Sequence, residues 1–191
     1  GLGLAAKRDD VDRRIWCIIG DGESREGQVW EAIDFLVDHR IGNVTAIFNC
    51  NQYGQADKVS AQQSAETLAR KLEAANVQVL SIDGHDPRAI REAFEKCAKS
   101  DRVSAIVART VKGWGAPSIQ GGGWHGKPAT GEKLKQAKDE LANQRIGLVS
   151  SLAGPDSLKP TPPAAPRARA AIATEAPSFT QAMRTHDFAT T

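Results

Sequence analysis

The chain has 191 residues, with 25 basic and 23 acidic side chains and a net charge of +2. That length suffices for one α/β domain with its own core, and the mixed, nearly balanced charge implies no nucleic acid or other polyanionic partner. No apolar run is long enough to span a bilayer, so no membrane partner and no secretory leader are expected.

Gly1 to Lys7 reads as the end of a helix whose start lies outside the sequence, and Lys7 to Arg14 as a charged surface loop. Arg14 to Ile19 is the first predicted strand, an unbroken apolar run of the kind covered on both faces. Gln28 to Arg40 reads as an amphipathic helix, with Val29, Ile33, Leu36, Val37 and Arg40 inward and Trp30 beside them in the core. Val44 to Phe48 is the second strand. Ser60 and Gln63 have the spacing of a capping box, and Leu68, Ala69, Leu72 and Ala75 the spacing of a helix. Val77 to Ile82 is the third strand, ending in Asp83-Gly84-His85. Asp86-Pro87 opens the next helix, whose buried stripe is Ala89, Ile90, Ala93, Phe94 and Cys97. Val103 to Ala108 is the fourth strand. Thr130 to Arg145 is a polar helix expected to leave the domain. Four strand–helix cycles predict an α/β fold with a doubly wound parallel sheet. No Gly-x-Gly-x-x-Gly follows the first strand, which argues against a dinucleotide fold.

The domain is expected over residues 1–145 and a linker over 146–191. Ser151 to Thr191 holds six of the nine prolines and much alanine. Cys17, Cys50 and Cys97 have no paired spacing and sit in apolar contexts, which favours reduced thiols and a cytoplasmic setting.

Two polar motifs end neighbouring strands: Gly20-Asp21-Gly22-Glu23 after the first and Asn49-Cys50-Asn51-Gln52-Tyr53 after the second. Ligands of open parallel sheets bind at the carboxyl ends of strands. A carboxylate and an amide oxygen are hard donors suited to Mg²⁺, which keeps waters and phosphate oxygens as further ligands. The glycines allow close backbone approach, and a helix N-terminus offers N–H groups to a phosphate. The residues therefore predict a Mg²⁺–diphosphate site. A simple strand-end turn is the alternative for Gly-Asp-Gly alone.

Gly20 to Ala32 (Gly-Asp-Gly-Glu-Ser-Arg-Glu-Gly-Gln-Val-Trp-Glu-Ala) resembles transketolase. So do Asn51-Gln52-Tyr53-Gly54-Gln55-Ala56-Asp57 and Trp124-His125-Gly126-Lys127-Pro128. The resemblance covers about residues 1 to 130. It implies thiamine diphosphate as cofactor and transfer of a two-carbon ketol unit between sugar phosphates, the chemistry of the pentose phosphate pathway. It implies that Asp21, Asn51 and the Tyr53 carbonyl hold Mg²⁺, and that Gly22, Asn51 and Lys112 meet the cofactor's diphosphate end. Gln55 would line the cofactor cleft, and His125 would act near cofactor and substrate.

Several residues keep two readings. Glu26 is either a helix-start acid or a dimer-contact glutamate near the cofactor. Lys112 is either a solvated lysine or a cation for the diphosphate. His125 lies in a glycine-rich loop with little core to join, which gives a ligand role weight. Gln120 to Gly123 before it reads as a mobile approach. His85 is favoured as structural. The family places its activating glutamate on a pyrimidine-binding domain, so the resemblance implies a half-site in this chain and a homodimer or complementary pyrimidine-binding chain as partner. Other thiamine enzymes, or a non-catalytic cofactor-binding or dimerisation subunit, are the alternatives.

Overall fold

A computed structural model of the chain describes residues 1–146. The expected linker from residue 147 onward lies outside the described residues. Four strands form one parallel sheet: β1 (Ile15–Gly20), β2 (Val44–Cys50), β3 (Gln78–Asp83) and β4 (Ser104–Arg109), in the order β1-β2-β4-β3. Five helices accompany them: α1 (Leu2–Arg8), α2 (Gly27–Asp38), α3 (Ala65–Ala74), α4 (Pro87–Ala98) and α5 (Gly131–Arg145).

The two sheet faces carry separate apolar cores. Ile33 of α2 and Leu68 and Leu72 of α3 pack with Ile19, Phe48, Ala105 and Val107 on one face. Ala93, Phe94 and Cys97 of α4 pack with Trp16, Ile47, Leu80 and Ile106 on the other. The connection from β2 skips a position to β3, and α4 returns to β4 in between. Reversing direction under the right-handed crossover preference puts the returning helix on the opposite face, where α4 is found. Both faces being covered explains the Val/Ile/Ala run of β4, which is buried from Ser104 through Ala108.

Helix ends follow their local sequence. Asp86 accepts a hydrogen bond from the Arg88 N–H, with Pro87 in the first turn. Ser64 caps α3 by accepting from the Thr67 N–H at 3.2 Å. The Ser60–Gln63 capping box is present, but it closes a short 3₁₀ turn ahead of α3.

Three expectations need correction. β1 is an edge strand among the described residues, and it is not covered on both faces: Ile18 is 71% exposed and Cys17 is exposed. Arg40 does not belong to the inner face of α2. The helix stops at Asp38, and Arg40 is exposed with φ +51°, in the left-handed turn that leads to buried Ile41. α5 does not leave the domain. Its Ala137 is buried, and Glu140 accepts from the Ser118 N–H at 3.0 Å. That donor holds the Glu140 carboxyl below the usual carboxylate range. Leu141 also lies against Gly115, so the helix packs back on the loop after β4.

Candidate active site

Parallel register brings the two motif-bearing strands together at their carboxyl ends, with Ile19 opposite Phe48 and Gly20 opposite Asn49. Beyond that rung the Asp21 N–H donates to the Asn49 carbonyl at 3.3 Å, so the chain turns immediately past the sheet. Asp21 is 2% exposed. Its Oδ1 accepts from the Gly22 N–H at 2.8 Å and its Oδ2 from the Gln52 N–H at 2.6 Å. One carboxylate thus ties the end of β1 to the end of β2. Asn51 Oδ1 accepts from the Tyr53 N–H at 2.9 Å. Gln52 sits at φ +69°, a conformation costing a non-glycine residue about 1 kcal/mol, held in place by its bond to Asp21.

The loop carrying Asp21 is braced from three sides. Glu23 Oε2 accepts from the Gly20 N–H at 2.9 Å, and the Ser24 hydroxyl donates to the Asp21 carbonyl at 2.6 Å. Gln63, buried, donates through Nε2 to the carbonyls of Asp21 at 2.8 Å and Gly22 at 3.2 Å, while its Oε1 accepts from the Ser60 N–H. Its amide is satisfied at both ends. Gly22 faces Gly54, and a Cβ at 22 would lie 3.5 Å from the Gly54 Cα, in ordinary van der Waals contact. The helix N-terminus does not follow the motif directly, since a 3₁₀ turn over Glu23–Arg25 intervenes before α2.

The third contributor is the end of β4. Thr110 is tied to β2 through its N–H, which donates to the Cys50 carbonyl, and its hydroxyl, 2.5 Å from Asn49 Oδ1. Lys112 then reaches back: its Nζ is 3.4 Å from the Gly54 carbonyl and 3.0 Å from His125 Nδ1. An ammonium only donates, so Nδ1 of His125 is the acceptor and its proton resides on Nε2. Two of the glycines before Trp124 make contacts that link the approach to the site. The Gly121 N–H donates to the Lys112 carbonyl, and Gly121 and Gly122 lie against the Tyr53 ring, where added Cβ atoms would come to 3.3 and 3.1 Å. The Tyr53 side chain therefore backs the loop that delivers His125, a role additional to its carbonyl.

Asp21, Gly22, Asn51, Tyr53, Gln55, Lys112 and His125 all line one open cavity of about 740 Å³. Glu23, Arg25, Lys58 and Gln63 share its wall and were not among the predicted site residues. Glu26 also lines the cavity and stands at the N-cap of α2, consistent with either of its readings. His85 does not line the cavity. Trp30 packs against the core and donates its indole N–H to the Ser24 carbonyl at 2.9 Å, so it also supports the motif loop. Cys50 lies buried beneath Asp21, where burial first and the Asp21 charge second push its thiol up to about 12. It is no nucleophile.

The donor set fits a divalent cation. Asp21 is a buried carboxylate that forms no ion pair among the described residues. Among the described residues its oxygens accept from the Gly22 and Gln52 N–H groups, and each retains lone-pair capacity. A buried charge without a counter-charge is costly, and a hard cation supplied by oxygen donors relieves that cost. Lys112 adds positive charge to the same wall, as a diphosphate requires.

A family model described as the thiamine diphosphate binding domain of transketolase matches residues 5–147. The chain belongs to the transketolase family. Transketolase-like protein 2 of Homo sapiens is 37% identical over 127 residues, covering 65% of this chain and 20% of that protein. Transketolase of Rattus norvegicus is 33% identical over 148 residues, covering 77% of this chain and 23% of that protein. The crystal structure of transketolase from Campylobacter jejuni matches with a TM-score of 0.59 at 28% identity, over 73% of this chain and 23% of that one. The transketolase domain described here thus spans about a quarter of the length of the relatives it matches. Among the described residues, no helix is long and apolar enough to cross a membrane.

Proposed function

We propose that this transketolase domain binds thiamine diphosphate through Mg²⁺ and forms the diphosphate half of a site for ketol transfer between sugar phosphates. The observation that carries the reading is the joining of Asp21 and the Asn51–Tyr53 loop by one buried carboxylate that forms no ion pair among the described residues, with Lys112 and His125 on the same cavity wall. When bound, thiamine diphosphate supplies the electron sink for cleaving and forming the carbon–carbon bond. The chain's own side chains do the holding. Asp21 and Asn51 oxygens and the Tyr53 carbonyl would ligate the metal. Lys112 would neutralise a diphosphate oxygen. Gly22 would allow close approach at its Cα, since its N–H is engaged with Asp21. Gln55 would border the cofactor cleft, and His125 would present Nε2–H towards cofactor and sugar.

The partner in this reading is a second chain contributing a pyrimidine-binding surface, as a homodimer or a complementary subunit, working in the cytoplasm. Calorimetry of thiamine diphosphate binding to the 191-residue chain, with Mg²⁺ and with a chelator, tests the half-site. Saturable binding that requires Mg²⁺ is expected, whereas binding indifferent to the metal would overturn the assignment.

A further inference from the structure

Lys112 sits in a turn with little core beneath it. Val111 on one side is 47% exposed and Trp114 beyond it is 54% exposed. Something other than burial must therefore hold this lysine where its Nζ meets His125 and the Gly54 carbonyl. From one side the Gly121 N–H donates to the Lys112 carbonyl. From the other side stands His85, which touches neither cavity nor motif loop. Its Nε2 accepts from the Val111 N–H at 2.8 Å, and its ring stacks on the Trp114 indole with centroids 4.6 Å apart and planes 8° from parallel. His85 thus grips the residues immediately before and two after Lys112.

His85 is itself fixed. Its N–H donates to Asp83 Oδ1 at 2.9 Å, and the Gly84 N–H donates to the Arg109 carbonyl at 2.7 Å. A Cβ at Gly84 would collide with the Thr110 side chain, so only glycine lets the end of β3 lie this close to the end of β4. Asp83-Gly84-His85 is then a bracket between two strand ends. Trp114, although half exposed, is kept at its post by the stack and by its N–H bond to the Val111 carbonyl.

We propose that His85 is a positioning residue that sets Lys112, and through it His125, for the cofactor's diphosphate, an inference that rests on the thiamine diphosphate reading above. The acceptor Nε2 is the working atom. Gln at 85 places an amide oxygen near that point, whereas Phe keeps the ring over Trp114 but removes the acceptor.

The test uses the full chain with Mg²⁺ and thiamine diphosphate, measuring affinity by calorimetry and backbone exchange by mass spectrometry. His85→Phe is expected to weaken binding about five- to tenfold, the worth of one hydrogen bond, and to speed exchange only around residues 109–116. His85→Gln is expected to restore both to near wild type. Should His85→Phe fail to fold, His85→Asn, whose amide stops short of Val111, takes its place. Wild-type affinity in the Phe or Asn variant overturns the proposal even if exchange rises, because His85 would then be structural only. Equal weakness in the Gln variant overturns it as well. If the wild-type chain itself does not bind, the thiamine diphosphate reading fails and this inference falls with it. That result is distinct from the preceding ones because no variant then has an affinity to compare.

Discussion

Replacing Asp21 with alanine separates a metal-binding carboxylate from a structural one. The carboxylate accepts two backbone N–H bonds, at 2.8 and 2.6 Å. Bonds to a charged acceptor contribute about 1.5–3 kcal/mol each, so their loss alone would be severe. Against that stands the cost of holding a 2%-exposed charge without a cation, several kcal/mol by general estimates. The two terms oppose each other, and Asp21→Ala is expected to change the ligand-free stability by no more than about 2 kcal/mol in either direction. With ligand the terms no longer cancel. At one hundred times its dissociation constant a ligand stabilises the wild type by about 2.7 kcal/mol, which raises the melting temperature by roughly 5–11 °C for a domain of this size. The alanine variant is expected to show no shift at the same Mg²⁺ and thiamine diphosphate concentrations. Asp21→Asn makes a second arm. Its NH₂ would face one of two N–H donors, so it should be less stable than Asp21→Ala without ligand, and equally unresponsive with it. Thermal melts across a cofactor titration, with Mg²⁺ present and withheld, read both effects. An undiminished Mg²⁺-dependent shift in Asp21→Ala would refute the metal assignment. A variant unfolded before any ligand is added would show that Asp21 is chiefly structural.

Other expectations follow from single contacts. Gln63→Leu removes the clamp on the Asp21 and Gly22 carbonyls and strands the Ser60 N–H, so the urea midpoint should fall by the equivalent of about 2–3 kcal/mol with an unchanged slope. A midpoint like wild type would mean the clamp is redundant. His125 is exposed, so His125→Ala should leave stability within about 0.5 kcal/mol while weakening cofactor binding severalfold; lower stability with intact binding would reverse the assignment. Cys17 is exposed while Cys50 and Cys97 are buried with raised thiols, so a disulfide reagent should find one fast thiol in the native chain and three after denaturation. Because the folded Cys50 thiol titrates near 12 against 9.0 for a free one, the unfolded chain loses that proton first. Stability should therefore decline as pH rises from about 9 towards 12, and less steeply in Cys50→Ala, as followed by denaturant titrations across that range.

Residue order alone determined the α/β alternation, the strand-end placement of Asp21 and Asn51, and the helix start at Asp86-Pro87. These are local matters: an apolar run sets a strand, side-chain spacing sets a helix face, and a cap or a proline sets its boundary. The resemblance to transketolase carried the rest of the proposed site, and Asp21, Asn51, Lys112 and His125 do meet at one cavity. What only the tertiary structure decided depends on strand order. Placing β4 beside β2 lets Lys112 reach Gly54, and placing β3 beside β4 lets His85 reach Val111. The capping box at Ser60 was legible because both its partners lie within one turn. The other end of the Gln63 amide, bonded to Asp21 some forty residues away, has no local signature. Likewise, the apolar run of β1 does not show that Cys17 and Ile18 are exposed at the sheet edge, nor does the polar surface of α5 show that it folds back through Ala137 and Glu140. Periodicity reports that a side chain has an apolar or polar neighbourhood to fill; which neighbour fills it is set by crossovers that join distant parts of the chain.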